Sequence, residues 1–362
     1  MNRKMKKNIA IIIQDITKQG GTERATVNLA NLLCSEYNVC IISIYKGVSD
    51  VPAFFVDSTV SLYFFDYEFD VSIKRFFNYT KLSKCVRKFC QENKIELLIS
   101  TSHAISFLLP YICLKTNIYS IATEHMARTA FPLFSQVLQR ISYPFLDALV
   151  VLSKSAAKQY PFMKRMYIIP NSLPFHSNEK ALLDTNTLMS VGRLSPEKGF
   201  DRLIKLAVIL RKNTNISQIR IFGDGDLRQE LQTQIEMAGL TDFVVLCGAS
   251  NQIEKEYFNA DIYLMTSYTE AFPMVLLEAQ ACGLPVVAFD CKEGPREIIT
   301  DGVNGFLIED GNVELFAQKV SELMSNYERR ISMGAMGQEM SKSYMPITIM
   351  SQWNNLFKKL LK

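Results

Sequence analysis

The chain has 362 residues, 48% hydrophobic and 21% charged, a composition that excludes disorder and calls for two domains rather than one core. Its net charge of +4 and pI near 8.5 are too mild a basic excess to point to nucleic acid, and no zinc-finger, RNP or heptad pattern accompanies it. No apolar run reaches the ~18 residues that span a bilayer, and the three histidines show no metal-ligand spacing, so neither a spanning helix nor a structural metal is expected.

The opening MNRKMKKNIAIIIQD imitates a signal peptide, but Gln14 and Asp15 cut its apolar run and no small-residue cleavage site follows. A strand is predicted over Asn8 to Ile13, then a Gly-Gly turn, then a helix from Thr22 to Leu33. Further strands are predicted at 39–44, 96–100, 118–122, 148–152 and 166–169. An amphipathic helix over 73–92 puts Phe76, Phe77, Leu82, Val86 and Phe89 on one side and a basic run on the other. Residues 170–186 carry two prolines and lose periodicity, which reads as a linker.

The alternation then restarts, with strands at 188–191, 218–222, 243–246, 261–265 and 285–288 and helices at 199–210 and 227–238. Strand–helix alternation predicts an α/β chain of parallel sheets covered by helices. The expected organisation is an N-terminal Rossmann-like domain over 1–170, a linker over 171–186, a C-terminal Rossmann-like domain over 187–345 and a helix over 346–362. Trp353, Leu356, Leu360 and Leu361 on that helix need an apolar partner, expected in the N-terminal domain. The eight cysteines, scattered without a CxxC pair, read as reduced core residues of a cytosolic protein.

Four loops carry chemistry, each after a predicted strand, where open α/β sheets bind ligands. In GGTER, Gly20 and Gly21 precede a helix whose free N–H groups favour phosphate; such a turn is also a common tight connection. In VGRLSPEKGF, Arg193 and Lys198 flank a Pro-Gly turn and could converge on a diphosphate; the bland alternative is a helix start with solvated charges. In IFGDGDL, Asp224 or Asp226 is expected to cap a helix, and Gly223 to leave room for a base or ribose.

The fourth and richest loop is TEAFPMVLLEAQACG. Pro273 suits the first helical position, and Phe272, Pro273, Met274 and Val275 form the wall of an anion-friendly helix start. Glu270 precedes that start and Glu278 lies within the helix. A carboxylate in so apolar a run suits hydrogen bonding to a ribose diol, while Glu270 could meet sugar hydroxyls or a cation-like reacting centre.

Taken in order, GGTER, GRLSPEKGFD, FGDGDLRQEL, the Glu270–Glu278 pair and GPREIITDGVNGFLI resemble glycosyltransferase family 4, retaining enzymes of the GT-B fold, over nearly the whole chain. The resemblance implies two Rossmann-like domains facing across a cleft and metal-independent transfer that needs no cofactor. It implies that Arg193, Lys198 and Gly21 hold the donor diphosphate, Glu278 the ribose, and that Glu270 faces the donor sugar. His125, in IATEH, resembles a histidine near the transferred sugar, and His103 is a second strand-end histidine that could share the site or merely start a helix. Ala271 departs from the glycine the family most often has.

The function expected is retaining transfer of a hexose or N-acetylhexosamine from a UDP-linked donor to a saccharide or lipid-linked saccharide, in cell-surface polysaccharide synthesis. The expected location is the cytoplasm, at the inner face of the membrane if the basic, aromatic stretch Lys74 to Lys88 rests on lipid; a solvated basic helix face is the equal alternative. A related UDP-sugar epimerase and a non-catalytic nucleotide-sugar-binding subunit are the competing readings.

Overall fold

A computed structural model describes residues 6–47, 50–65, 75–175 and 179–361, the side chains of 75–77 excepted. The chain divides into two compact units, residues 1–172 with 346–362, and residues 173–345.

In the first unit, the strands are β1 (Asn8–Ile13), β2 (Asn38–Ser43), β3 (Ser61–Phe64), β4 (Leu97–Ser100), β5 (Tyr119–Glu124), β6 (Ala148–Val151) and β7 (Met166–Ile168). Its helices are α1 (Gly21–Leu33), α2 (Arg75–Glu92), α3 (His103–Ser106), α4 (Leu109–Cys113), α5 (Leu133–Ser142) and α6 (Lys154–Ala157). The sheet is parallel in the order β3-β2-β1-β4-β5-β6-β7. Its strands read as unbroken apolar runs because both faces are covered. Period-two alternation splits them: Ala10, Ile12 and Leu98 enter one core, Ile9, Ile11, Leu97 and Ile99 the other.

The second unit repeats the construction. Its strands are β8 (Thr187–Val191), β9 (Gln218–Phe222), β10 (Val244–Gly248), β11 (Ile262–Met265), β12 (Val286–Phe289) and β13 (Gly305–Ile308), in the parallel order β10-β9-β8-β11-β12-β13. The helices are α7 (Phe200–Leu210), α8 (Arg228–Met237), α9 (Ile253–Phe258), α10 (Met274–Ala281), α11 (Pro295–Ile298), α12 (Val313–Ser325) and α13 (Tyr327–Ser341). Both are α/β sheets of Rossmann type whose order reverses beside β1 and beside β8, the position at which such sheets hold ligands.

The last helix, α14 (Pro346–Leu360), belongs to the first unit. Ile349, Trp353, Leu356 and Phe357 are buried with Val27, Ala30 and Leu33 of α1, while Leu360 and Leu361 pack at the margin. The apolar stripe that called for a partner thus has one. Residues 181–186 are part of the second unit: buried Asp261 accepts from Thr185 N and Oγ1 at 2.8 and 2.9 Å and from Asn186 N at 2.9 Å.

Several elements were not legible in the sequence. β3 is four residues long and half exposed, β13 is a short edge strand, and α3, α4, α6, α9 and α11 are one or two turns each. Period-based reading needs longer windows than these. α5 was also missed, although it is ten residues long. On α2, Leu82, Val86 and Cys90 are in the core and Phe89 packs on Tyr63 and Phe65, while Lys81, Lys84 and Lys88 are exposed. The side chains of Lys74, Arg75, Phe76 and Phe77 lie outside the described residues. Over its described length, α2 is a domain helix with a solvated basic side.

Candidate functional site

In the second unit, three loops at the carboxyl ends of β8, β9 and β11 are packed backbone against backbone. Gly199 has φ +63°, and a Cβ there would stand 2.1 Å from Thr266 O; a Cβ on Gly223, at φ +135°, would stand 1.9 Å from Gly192 O. These glycines allow close approach of neighbouring main chains. A side chain at 223 would therefore meet the Gly192 carbonyl, which is why glycine stands there.

This packing sets Lys198 beside Glu270. Lys198 Nζ donates to Glu270 Oε1 at 2.7 Å, and Ser267 Oγ donates to the same oxygen at 2.8 Å. Both charged side chains are largely shielded, 26% and 11% exposed, so the pair feels a lower dielectric than a surface ion pair. Ser267 was missed by sequence reading; the signal was the polar pair Thr266-Ser267 directly after an apolar strand. Arg193 is on the same loop as Lys198 and is exposed.

Pro273 takes the cap position of α10 rather than the first helical one, with φ −74° and ψ 95°. The free N–H groups expected there therefore begin at Met274, while Leu276 N already bonds Pro273 O at 3.1 Å. Phe272 and Pro273 are buried, Met274 and Val275 partly so, and Phe272 meets the Tyr344 ring at 5.8 Å. Ala271 keeps a negative φ, so the alanine fits the turn. Behind this loop lies Gly294, φ +42°, where a Cβ would meet Glu270 O at 2.7 Å. The CKEGPRE segment therefore backs the Glu270 loop.

Glu278 is fully buried, and Tyr257 OH donates to its Oε2 at 3.1 Å. It is the fifth residue of α10, a helix that begins four residues after Glu270. Burial of a carboxylate demands hydrogen-bonding partners; Tyr257, on α9, is one that sequence spacing did not reveal.

The aspartates of the β9 loop do not cap a helix. The helix starts at Arg228 with Leu227 at the cap and no side-chain bond; Asp224 Oδ1 instead accepts from Gly225 N at 2.9 Å. Leu227 N is already bonded to Leu194 O at 3.0 Å, so the loop is folded onto the Arg193 loop and the aspartates are carried away from the helix start.

In the first unit, Gly20 caps α1 in extended conformation, and a Cβ on Gly21 would meet open space. His125 follows β5. Its Nε2 lies 3.0 Å from Thr123 Oγ1, it borders a cavity of about 20 Å³ with Asn28, Asn171 and Trp353, and burial pushes its imidazole down to about 4, so the ring is neutral at physiological pH. His103 starts α3 and stacks on Phe131 at 3.8 Å, and burial lowers its pKa too. Next to His125, Glu124 is buried and accepts from Tyr143 OH. Burial lifts its carboxyl to about 8, against the lowering effect of that hydrogen bond. No sequence pattern marked Glu124, since its partner Tyr143 is placed by the fold.

Among the described residues no group of three or more His, Cys, Asp or Glu is placed to hold a metal ion, and no helix is long and apolar enough to cross a membrane.

Residues 174–340 match the family described as Glycosyl transferases group 1. The chain is 30% identical over 358 residues to an uncharacterized glycosyltransferase of Haemophilus influenzae, covering 97% of this chain and 99% of that one. It is 28% identical to the GalNAc-alpha-(1->4)-GalNAc-alpha-(1->3)-diNAcBac-PP-undecaprenol alpha-1,4-N-acetyl-D-galactosaminyltransferase of Campylobacter jejuni, covering 96% and 97% of the two chains. Among solved structures, the Anabaena protein HepE, in complex with UDP, superposes with a TM-score of 0.78 at 18% identity, covering 98% and 100% of the chains. The chain belongs to the group 1 glycosyltransferases and is a hexosyltransferase of GT-B fold.

Proposed function

We propose that this enzyme is a retaining transferase of family 4 that moves a hexose or N-acetylhexosamine from a UDP-linked donor to a saccharide carried on a lipid, in the assembly of a surface polysaccharide. The observation that carries the reading is the shielded Lys198–Glu270 pair at the carboxyl end of the second sheet, with Arg193 on the same loop. The C. jejuni relative's printed acceptor, a saccharide on undecaprenyl diphosphate, supports the lipid-linked acceptor, and the UDP in the HepE complex supports the donor.

In this reading Arg193 and Lys198 neutralise the donor diphosphate and the charge that grows on it as the C1–O bond breaks. Gly21, at the open N-terminus of α1, is the first unit's position best suited to a phosphate. Glu278, held by Tyr257, accepts from the ribose hydroxyls. Glu270, held by Lys198 and Ser267, orients the sugar hydroxyls and stabilises the cation-like centre. The acceptor oxygen bonds to C1 on the face the phosphate leaves, and the acceptor proton passes to the departing phosphate oxygen. Neither a carboxylate nucleophile nor a metal is needed, and His125, whose ring burial keeps neutral, is not assigned as the base. The work is done in the cytoplasm, at the inner membrane face.

A thermal-shift panel of nucleotide sugars, followed by turnover of the best binder, identifies the donor. Glu270→Ala is expected to abolish transfer while UDP binding is largely kept; Arg193→Ala is expected to weaken UDP binding by about tenfold or more. Unchanged UDP affinity in Arg193→Ala, or full turnover in Glu270→Ala, would overturn the assignment.

A further inference from the structure

Helix α5 is inverted. Its one buried residue is Gln139, whereas Leu133, Phe134, Val137 and Ile141, followed by Phe145 one turn on, are 79, 68, 53, 63 and 75% exposed. At 100° per residue Leu133, Phe134, Val137 and Ile141 fall within one third of the helix circumference, and Gln139 lies opposite. Polar bonds, not apolar burial, hold the inner side: Gln139 Nε2 donates to Tyr143 OH at 3.2 Å, Arg128 to Gln136 O at 3.0 Å, and Gln136 Nε2 to Phe131 O at 2.8 Å. Tyr143 in turn bonds Glu124, one residue before His125. The helix is therefore fixed with its apolar stripe outward, and an outward stripe of this size on a well-held helix marks a surface that meets something apolar.

The charge around the stripe says what. Between His125 and Asn178 the sequence has six Lys and Arg and a single carboxylate, Asp147. Asp147 is itself occupied, accepting from Ser120 Oγ at 2.9 Å and lying 3.7 Å from Arg165. Arg140 is exposed at the border of the stripe, and the guanidinium carbons of Arg128 and Arg140 stand 5.2 and 5.9 Å from the Phe162 ring. That contact brings α5 beside the 158–165 segment, whose Lys158, Lys164 and Arg165 are exposed. Leu and Phe on one face with cations at the border and no anions is the pattern of a helix lying in an anionic bilayer interface.

We propose that α5 docks this enzyme on an anionic lipid surface, with Phe134, Val137, Ile141 and Phe145 entering the headgroup–acyl boundary and the exposed Arg140, Lys158 and Lys164 facing lipid phosphates. The membrane contact therefore belongs to α5 and not to α2, whose described apolar side is already in the core. This deepens the membrane-facing part of the function proposed above. Vesicle binding is measured without donor or acceptor, so its failure and the failure of the transferase reading are separate results.

The test is co-sedimentation of the full chain with vesicles of phosphatidylcholine alone or mixed with phosphatidylglycerol. Binding is expected to the mixed vesicles and to weaken with salt. Val137→Glu with Ile141→Glu is expected to lower it by at least about tenfold, with the thermal unfolding midpoint unchanged because both side chains are exposed. Lys84→Glu with Lys88→Glu on α2 is expected to change it less than about twofold. A Phe134→Trp variant is expected to shift its emission to the blue on mixed vesicles. No binding to mixed vesicles, or loss of binding in the α2 variant only, would overturn the proposal. So would a dimer in solution that the α5 variant dissociates, which would assign the face to a second copy.

Discussion

At the residue scale, the two neighbours at the end of β5 titrate in opposite senses. Folding raises Glu124 from 4.5 to about 8 and lowers His125 from 6.5 to about 4, in both cases through burial. Between pH 6.5 and 8 the folded chain keeps the Glu124 proton that the unfolded chain has released, so this group makes stability fall as pH rises, by about 2 kcal/mol across that window. Below 6.5 the unfolded His125 takes up a proton that the folded ring refuses until about pH 4, so its contribution is lost as pH falls. The two slopes oppose each other in mildly acid solution, and only the Glu124 slope remains above it. Glu124→Gln is expected to flatten the alkaline decline, read as denaturant midpoints at pH 6.5 and 8. An equal decline in the variant would refute a neutral, buried Glu124. The candidate residues stand out in the sequence by type: Arg193, Lys198 and Glu270 are charged residues in loops after strands, and Glu278 is a carboxylate within an apolar helix. Tyr257, the partner of Glu278, does not, because it comes from a different element, α9; Ser267 is on the same loop as Glu270, three residues before it.

At the element scale, loops decide the site. The Pro-Gly turn after β8 was read as a helix start, and it is one, yet Gly199 also serves a second purpose. With φ +63° and the Thr266 carbonyl at its Cβ position, it lets the β8 and β11 loops touch, where Tyr268 N also bonds Glu197 O at 2.9 Å, and so helps bring Lys198 to Glu270. Gly199→Ala is expected to cost about 2 kcal/mol or more of stability and to lower turnover by separating that pair. Urea unfolding and a turnover assay check it; a variant with wild-type values in both would mean the loops can part without consequence. α5 escaped prediction for a related reason. Its periodicity is strong, but the phase is inverted, with a glutamine inward and phenylalanine outward, and Pro132 and Pro144 bracket it closely. A reading that expects apolar residues to face a core finds no place for it.

At the scale of the whole molecule, the last helix completes the first unit. Trp353 is 4% exposed and packs on Phe357, while Tyr37 meets the Phe357 ring edge at 5.3 Å and donates to Asn354 at 2.6 Å. A segment distant in sequence therefore closes the core over α1. Trp353→Ala is expected to cost about 3–5 kcal/mol, followed by circular dichroism during denaturation. A loss under about 1 kcal/mol would mean that α14 rests on the core without completing it.

Composition and periodicity by themselves determined that the chain is α/β, that parallel strands alternate with helices, and that loops rich in glycine and charge follow strands. These are local properties, repeated over many residues, and a strand buried on both faces declares itself as an apolar run. Tertiary structure alone decided which charges meet. Lys198 finds Glu270 because Gly199 lets the β8 and β11 loops touch, Glu124 is neutral because the core encloses it, against the pull of the Tyr143 hydrogen bond, and the outward stripe of α5 exists because polar bonds hold its inner side. Contact between distant residues and exclusion of water are collective outcomes of packing, and no window of sequence contains them.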